Sequence, residues 1–219
     1  MITLSFHHSG ALLIGDTLTV SDLHLEKGTR ASLRGGGAGF VPPYDTRETL
    51  QRLAALVAET RPERLIFLGD TFDDVAGLRR LADEDRRALD DIIQDCKVVW
   101  ITGNHDPLPR DALPGFITPE YELGNYLFRH EADPAHEGPQ IEVSGHFHPC
   151  AKVAVRGAVL RRPCFIEARH RLILPAMGTY TGGLNVLDPA FAPLHLGDFS
   201  VHVLGKDKVF TFPKTQLVE

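Results

Sequence analysis

Five short stretches of the sequence carry side chains that bind cations or move protons. They are Asp22-Leu23-His24, Gly69-Asp70-Thr71-Phe72-Asp73, Gly103-Asn104-His105-Asp106, His130, and Gly145-His146-Phe147-His148. Their donor atoms are carboxylate oxygens, imidazole nitrogens and an amide oxygen. That mixture suits borderline divalent ions such as Mn, Fe, Zn or Co, whereas all-oxygen sets suit Mg or Ca. Asp22, His24, Asp70, Asn104, His130, His146 and His148 are too many donors for one ion, and two ions bridged by a shared carboxylate use them naturally. The pair His146 and His148 is open to two readings when taken alone. Imidazoles at positions i and i+2 point the same way if the backbone is extended, so the stretch is either the frayed end of a strand or half of a metal site. A single buried histidine is more often a hydrogen-bonded core residue than a ligand, so the weight rests on the whole set.

These residues lie tens of positions apart, and the elements between them must bring them together. "ALLIGDTLTVSD" reads as a hairpin of two short strands around Gly15-Asp16, the second ending at Ser21-Asp22. "LEKGTRASLRGGGAGFVPPYD" is rich in Gly and Pro, lacks periodicity and reads as a long loop. Asp45 as N-cap with Glu48 three residues on forms a capping-box pattern. It opens a helix with Leu50, Leu53, Ala54 and Val57 on its inner face, ending near Thr60 ahead of Pro62. "RLIFLGD" and "KVVWITGNHD" are continuous apolar runs stopped by turn residues and read as buried strands. Between them a charged helix over 83–95 faces inward through Ala88, Leu89, Ile92 and Ile93. Strand, helix, strand, helix, strand implies parallel crossover units. In such sheets ligands gather beyond the carboxyl ends of the strands, where the first three stretches fall. After residue 120 the segments "YELGNYLFRHE", "IEVSGHFHP", "KVAVRGAVL", "PCFIEARHRLILP", "LNVLD" and "SVHVLGKDKVFTF" are all strand-like, the last completing a sheet internally or pairing across a dimer. The expectation is an α/β first half and a β-rich second half sharing one core, in a single domain over 1–219.

In this order, at the ends of predicted strands, the five stretches resemble the signature of the calcineurin-like metallophosphoesterases over residues 22–148. The resemblance implies that family's fold, an α/β (α+β) β-sandwich of mixed sheets flanked by helices. It also implies hydrolysis of phosphodiester bonds with two divalent metal ions, Mn foremost and Fe, Zn or Co as alternatives. Carried over by resemblance, Asp22, His24, Asp70 and His148 hold one ion, while Asp70, Asn104, His130 and His146 hold the other. His105 is then a catalytic residue outside both sets, donating to a phosphoryl oxygen or protonating the leaving group. Asp106, the second catalytic position, orients the His105 ring. Asp73 ties the Gly-Asp turn to neighbouring backbone amides. "SDLHLEKG", "PPYDTRETL", "RPCF" and "LPAMGTYTGGL" look like a branch of bacterial phosphoesterases encoded beside a DNA ligase and a helicase and regarded as DNA-repair endonucleases. That branch implies DNA as substrate and association with DNA ligase and helicase. A small nucleotide or a lipid-linked phosphoester is the alternative substrate, because related families share "SDLHL". A catalytically silent interaction module on the same fold would lack a ligand or the histidine after Asn104, and none is missing.

Composition sets bounds around this reading. The 219 residues are 43% hydrophobic and 24% charged, which matches an ordinary soluble globular chain. A net charge of −6 weighs against a surface coated for non-specific nucleic-acid binding. The charge is uneven, however. Residues 59–95 hold eleven Asp or Glu against six Arg, and residues 151–171 hold six Lys or Arg against one Glu. The basic stretch, with Arg161, Arg162, Arg169 and Arg171, either faces a phosphate-rich partner or is a solvated strand surface. Lys27, Arg30 and Arg34, after the first metal-type stretch, pose the same choice. Cys96, Cys150 and Cys164 form no CxxC pair and suggest a reducing compartment. No signal-like segment opens the sequence, and no apolar run approaches the roughly 18 residues that span a bilayer. A cytoplasmic protein with no membrane partner is therefore expected. His7, His8, His136, His170, His195 and His202 fit no motif and are expected to be surface or structural.

Overall fold

The computed structural model describes residues 3–33, 44–107 and 113–219. Its strands form two mixed sheets. The first has the spatial order β1 (Leu4–Phe6), β2 (Leu12–Ile14), β3 (Thr17–Val20), β4 (Arg64–Leu68), β5 (Lys97–Ile101) and β6 (Phe116–Thr118). The first three strands pair antiparallel, and β3 to β6 pair parallel. The helices are α1 (Lys27–Leu33), α2 (Asp45–Thr60), α3 (Gly77–Arg80) and α4 (Asp83–Ile93). The second sheet is built from β7 (Glu120–Leu123), β8 (Tyr126–Arg129), β9 (Ile141–Ser144), β10 (Cys150–Val155), β11 (Ala158–Ala168), β12 (Arg171–Ile173), β13 (Ser200–Leu204) and β14 (Val209–Pro213). Its order is β14-β13-β11-β12-β9-β8-β7, with β10 paired to the first half of β11.

Strand alternation sorts the apolar residues into layers. Leu65 and Phe67 of β4 and Val98 and Trp100 of β5 face Leu50, Leu53 and Leu56 of α2 and Leu89, Ile92 and Ile93 of α4. The intervening Ile66, Leu68, Val99 and Ile101 face Phe128, Val143, Phe165 and Leu172 of the second sheet. Strands buried on both faces need such unbroken apolar runs. The far face of the second sheet packs Cys164, Ile166, Ile173 and Val201 against Phe191 and Leu194 of the 3-10 helix Pro189–Leu194. Because β8 and β9 run parallel, as do β9 and β12, both sheets direct the carboxyl ends of parallel strands into turns that bear Asp and His.

The crossover helices and five of the strand-like segments form as the sequence predicts. The differences have local causes. The loop expected after His24 contains α1, whose first turn is held by a distant residue. Asp45 Oδ2 accepts the Gly28 N–H at 3.1 Å. Asp45 is therefore not the N-cap of α2; Tyr44 holds that position without a side-chain bond. On α2 Leu56 is buried and Ala54 exposed, which rotates the inner face by part of a turn. "LNVLD" forms one bridge, Asn185 to Cys150, in place of a strand. The C-terminal hairpin pairs internally, β14 on β13 and β13 on β11. Arg34 lies outside the described residues.

Arg171 and Glu142 sit opposite each other in the parallel β9–β12 register, 6% and 0% exposed. Arg171 donates to the Glu142 carboxylate and, at 2.7 Å, to the Asp133 carbonyl, while Glu142 also accepts the Asp133 N–H. Arg129 also reaches Glu142, at 3.5 Å, but removing Arg171 strips the fully buried carboxylate of its closest counter-charge. Arg171→Met is expected to lower stability by about 3–5 kcal/mol, read as an earlier urea midpoint, with Glu142→Leu added to it restoring much of the loss.

Candidate metal centre

Turns at the carboxyl ends of five strands carry the polar residues. Asp22 and His24 follow β3, Asp70 follows β4, and Asn104 and His105 follow β5. His130 follows β8, and His146 and His148 follow β9. The first two turns are zipped together by backbone bonds: Asp22 N–H to the Gly69 carbonyl, His24 N–H to Asp70, Leu25 N–H to Thr71, and Asp73 N–H to Leu25. Asp22, His24, Asp70, His146 and His148 all have positive φ, between 44° and 67°. They make up five of the nine non-glycine residues in that region among the described residues. Each such residue costs on the order of 1–2 kcal/mol, so the surrounding structure must hold them there. Glycine is required at the close approaches within the centre. A Cβ on Gly69, whose φ is 84°, would lie 2.4 Å from the His130 ring, and one on Gly145 would lie 1.9 Å from Ser21 Oγ. His146 and His148 reach the same centre through left-handed backbone after β9 has ended at Ser144. The expected extended alternation does not occur there.

The side chains aim lone pairs at shared points. His130 donates its Nδ1–H to the Leu68 carbonyl at 2.9 Å, so its neutral ring presents a bare Nε2. That nitrogen lies 3.0 Å from Asn104 Oδ1 and 3.2 Å from Asp70 Oδ2. His146 Nδ1 is 2.9 Å from the same Asn104 oxygen and 3.3 Å from His130 Nε2. On the other side His24 donates Nδ1–H to Asp73 Oδ1 at 3.1 Å, leaving its Nε2 3.4 Å from His148 Nε2 and 3.8 Å from Asp70 Oδ2. Asp22 Oδ1 is buried and meets no hydrogen-bond donor, although His148 Nε2 is 3.1 Å away. Acceptor facing acceptor at these distances fits cations placed between them. Ring nitrogens fixed by a carboxylate or a carbonyl on the far side are the usual support of metal-binding histidines. The groups Asp22–His24–His148, His24–Asp70–His105 and Asp70–His130–His146 each bring their donor atoms within 4.8 Å. They are consistent with a binuclear metal site, and Asp70 belongs to two of the three groups.

The two oxygens of each central carboxylate are differentiated. Asp70 Oδ1 accepts the His105 N–H at 2.9 Å, which leaves Oδ2 to both halves. Asp22 Oδ2 accepts from Ser21 Oγ at 2.5 Å and from the His146 N–H at 3.0 Å, which leaves Oδ1. Burial opposes ionisation of Asp22, but the His148 contact and the nearby His130 outweigh it and hold the carboxyl at about 2. Burial likewise disfavours a charged His130, yet the bonded Asp70 and nearby Asp22 raise it to about 9. Burial and the neighbouring His130 keep the His146 imidazole below its ordinary value. Without metal, a proton on His130 therefore balances part of the anionic charge. The open side of the centre is at His146 and His148, whose side chains are 30% and 17% exposed against 4% or less for Asp22, His24, Asp70 and His130.

Asp73 and Asp106 exchange the positions the sequence suggests. Asp106 does not touch the His105 ring. Its carboxylate accepts the Phe72 and Gly103 N–H groups at 3.0 and 3.2 Å and ties the second turn to the third. Burial and the Asp70 charge push the Asp106 carboxyl up to about 7, against those two donors. The His105 ring is held by the Asp73 carbonyl, 2.9 Å from Nδ1. The Asp73 carboxylate takes His24 on one oxygen and Arg30, at 2.7 Å, on the other. Arg30 also bonds the Asp73 carbonyl and pairs with Asp74, so it braces the centre and is not free for substrate. Lys27 stands 3.7 Å from Asp73. Ser21 is absent from the expected set, and only its place beside Asp22 hints at its bond. His202, buried, stacks on Phe6 and bonds Glu167 and Thr211, as a structural histidine does.

The family profile described as calcineurin-like phosphoesterase matches residues 16–135. Among solved structures, the chain is similar to the nuclease MPE of Pseudomonas putida, with 27% identity, a TM-score of 0.68, and coverage of 96% of this chain and 95% of that one. It is also similar to Yfce, a phosphoesterase from E. coli, at 18% identity and a TM-score of 0.47, covering 90% of this chain and 97% of that one. No curated protein matches the sequence.

Asp73 shapes the site without facing the shared oxygen, so its loss separates support from ligation. Asp73→Asn is expected to fold and to weaken divalent-metal binding by about 10–100-fold, measured by competition with a metallochromic chelator. Affinity equal to wild type would mean that His24 needs no carboxylate behind it.

Proposed function

The chain belongs to the calcineurin-like phosphoesterases, and on that premise we propose that it is a two-metal phosphodiesterase that cleaves DNA, with Mn as its working metal. Metal-dependent phosphoester hydrolysis follows from the family together with the buried His and Asp groups. The observation that carries the two-metal reading is Asp70 Oδ2, approached from one side by His24 and from the other by His130. The choice of DNA rests on likeness to a nuclease over nearly the whole chain. The mixed nitrogen and oxygen donors support Mn, with Fe, Zn or Co as alternatives.

Asp22, His24, Asp70 and His148 would hold one ion, and Asp70, Asn104, His130 and His146 the other. Two divalent ions held there would supply a water of pKa lowered towards neutrality and would offset charge on the phosphoryl oxygens. The protein's own groups do the rest. The phosphodiester enters from the exposed side, past His146 and His148. His105, its Nδ1–H engaged by the Asp73 carbonyl, turns Nε2 to the substrate and, when protonated, delivers a proton to the leaving oxygen. Asp106 is a positioning residue, fixing the turn on which Asn104 and His105 stand. A role in DNA repair beside a ligase and a helicase is supported by the four stretches that resemble that branch. Residues 1–219 would act as one domain, since both sheets contribute ligands. A cytoplasmic setting is supported by three free cysteines and by the absence, among the described residues, of a helix long and apolar enough to cross a membrane.

With added Mn the protein is expected to hydrolyse an aryl phosphodiester and to nick or degrade DNA, both stopped by chelator. Asp70→Asn should abolish both activities and weaken metal binding. His105→Ala should keep its metal and lose about 10²-fold in turnover. A panel of DNA, cyclic nucleotides, nucleotides and aryl esters on one preparation checks this. Hydrolysis confined to monoesters or free nucleotides would remove the nuclease assignment and favour a small-molecule substrate.

A further inference from the structure

The chain continues from His148 through Pro149 directly into the β10–β11 hairpin, and this hairpin is unlike the rest of the surface. Between Cys150 and Pro163 it holds Lys152, Arg156, Arg161 and Arg162 and no Asp or Glu, in a chain whose net charge is −6. Among the described residues none of these four cations forms an ion pair, and with no carboxylate in the hairpin none has a counter-charge on its own or the facing strand. Its root is firm: Cys150, Ala151 and Val153 are buried, and the Cys164 N–H bonds the Pro149 carbonyl. Its outer half stands clear of the sheet, with Val155, Val159 and Leu160 36%, 62% and 42% exposed. At the tip Arg156 and Gly157 both have positive φ, 50° and 82°, the two-residue hairpin turn that favours Asn-Gly. An arginine tolerated in that conformation sets a cation at the far end. At the near end Lys152 and Arg161 are cross-strand partners. Arg161 donates to the Gly183 carbonyl, and Gly183 packs so closely on His148 that a Cβ there would lie 2.2 Å from the His148 carbonyl oxygen.

We infer that the β10–β11 hairpin is a phosphate-tracking arm that holds a polynucleotide on the open side of the metal centre. The inference rests on the reading of the centre as a phosphodiesterase site and narrows its substrate to a polymer. Arg161 stands beside His148 through Gly183, Lys152 is its cross-strand partner on the same face, and Arg156 lies at the tip, while Arg162 projects from the opposite face. Six residues of strand reach about 20 Å, roughly six steps of a duplex at about 3.4 Å each. A small phosphoester would leave this arm unused. Contact of this kind is sequence-independent and releases counterions. Arg169 and Arg171 do not extend the track: both lie at the amino end of β12, opposite the ligand turns, and Arg171 is consumed by Glu142.

The test uses the double variant Lys152→Gln, Arg156→Gln, which leaves Arg161 on its Gly183 carbonyl. Binding of a fluorescein-labelled DNA duplex is read by anisotropy in chelator, where nothing is cleaved, across a salt series. The variant should bind roughly tenfold or more weakly, and the slope of log K against log salt should shrink in magnitude by about 2. With Mn, its kcat/KM on the aryl phosphodiester should equal wild type, while DNA cleavage loses mainly in KM. Wild-type affinity and salt slope in the variant, with DNA still cleaved by wild type, would overturn the arm alone. Failure of wild type to cleave DNA while it cleaves the aryl ester would overturn both the arm and the nuclease reading. Sedimentation showing a wild-type dimer that the variant loses, with DNA affinity unchanged, would make the hairpin a contact between copies and also overturn the arm.

Discussion

Electron pairs from Asp22, His24, Asp70, Asn104, His130, His146 and His148 face one another at separations of about 3 to 4 Å in a largely buried pocket. In surroundings of lowered dielectric, that arrangement is repulsive until positive charge lies between the donors. A proton on His130 relieves it in part, and divalent cations relieve it fully. The rest of the molecule can be understood as the scaffold that keeps these groups from turning away. Each inner histidine has its far nitrogen held, His24 by the Asp73 carboxylate and His130 by the Leu68 carbonyl. The free oxygens of Asp22 and Asp70 are singled out because backbone and hydroxyl donors occupy the others.

Backbone strain at the ligands is the second face of the same constraint. Five of the seven proposed ligand residues sit in left-handed conformation, and what holds them is the pairing of turns from different strands together with the apolar layers beneath. Phe67 stacks on Trp100 below the first sheet, and Phe128, Val143 and Phe165 fill the space between the sheets. These layers fix where β3, β4, β5, β8 and β9 end, and so where the turns begin. Gly69, Gly103 and Gly145 are needed because imidazole and carboxylate groups occupy the space a Cβ would take. Conformational cost is thus concentrated where the chemistry is, and the apolar layers stabilise it.

Much of this is legible in the sequence, for identifiable reasons. Continuous apolar runs at 64–68 and 97–101 mark buried strands, and the Gly-Asp and Gly-Asn-His-Asp stops mark where the chain turns beneath a ligand. What escapes depends on partners remote in sequence. Helix α1 has too little periodicity to be seen and is anchored by Asp45, seventeen residues on. The three-residue strands β1 and β6 exist through their neighbours. Asp73 and Asp106 are alike as residue types, and only the folded turns show that one supports His24 while the other clips two turns together. His146 and His148 converge by a left-handed path that residue alternation does not anticipate.

The centre and its surroundings divide the work between precision and reach. Asp22, His24, Asp70 and His130 are nearly inaccessible and tightly bonded, with Asn104, His146 and His148 on the open side, while the outer half of the adjoining hairpin is exposed and carries cations without ion pairs. Such a division suits a long anionic substrate drawn across a small, rigid hydrolytic site. At the heart of the proposal stands one oxygen, Asp70 Oδ2, which two cations would share. Anomalous diffraction from Mn-loaded crystals tests it most directly. The account predicts two Mn peaks per chain, about 3.5–4 Å apart, with the Asp70 carboxylate between them; a single peak, or two peaks that share no ligand, would contradict it.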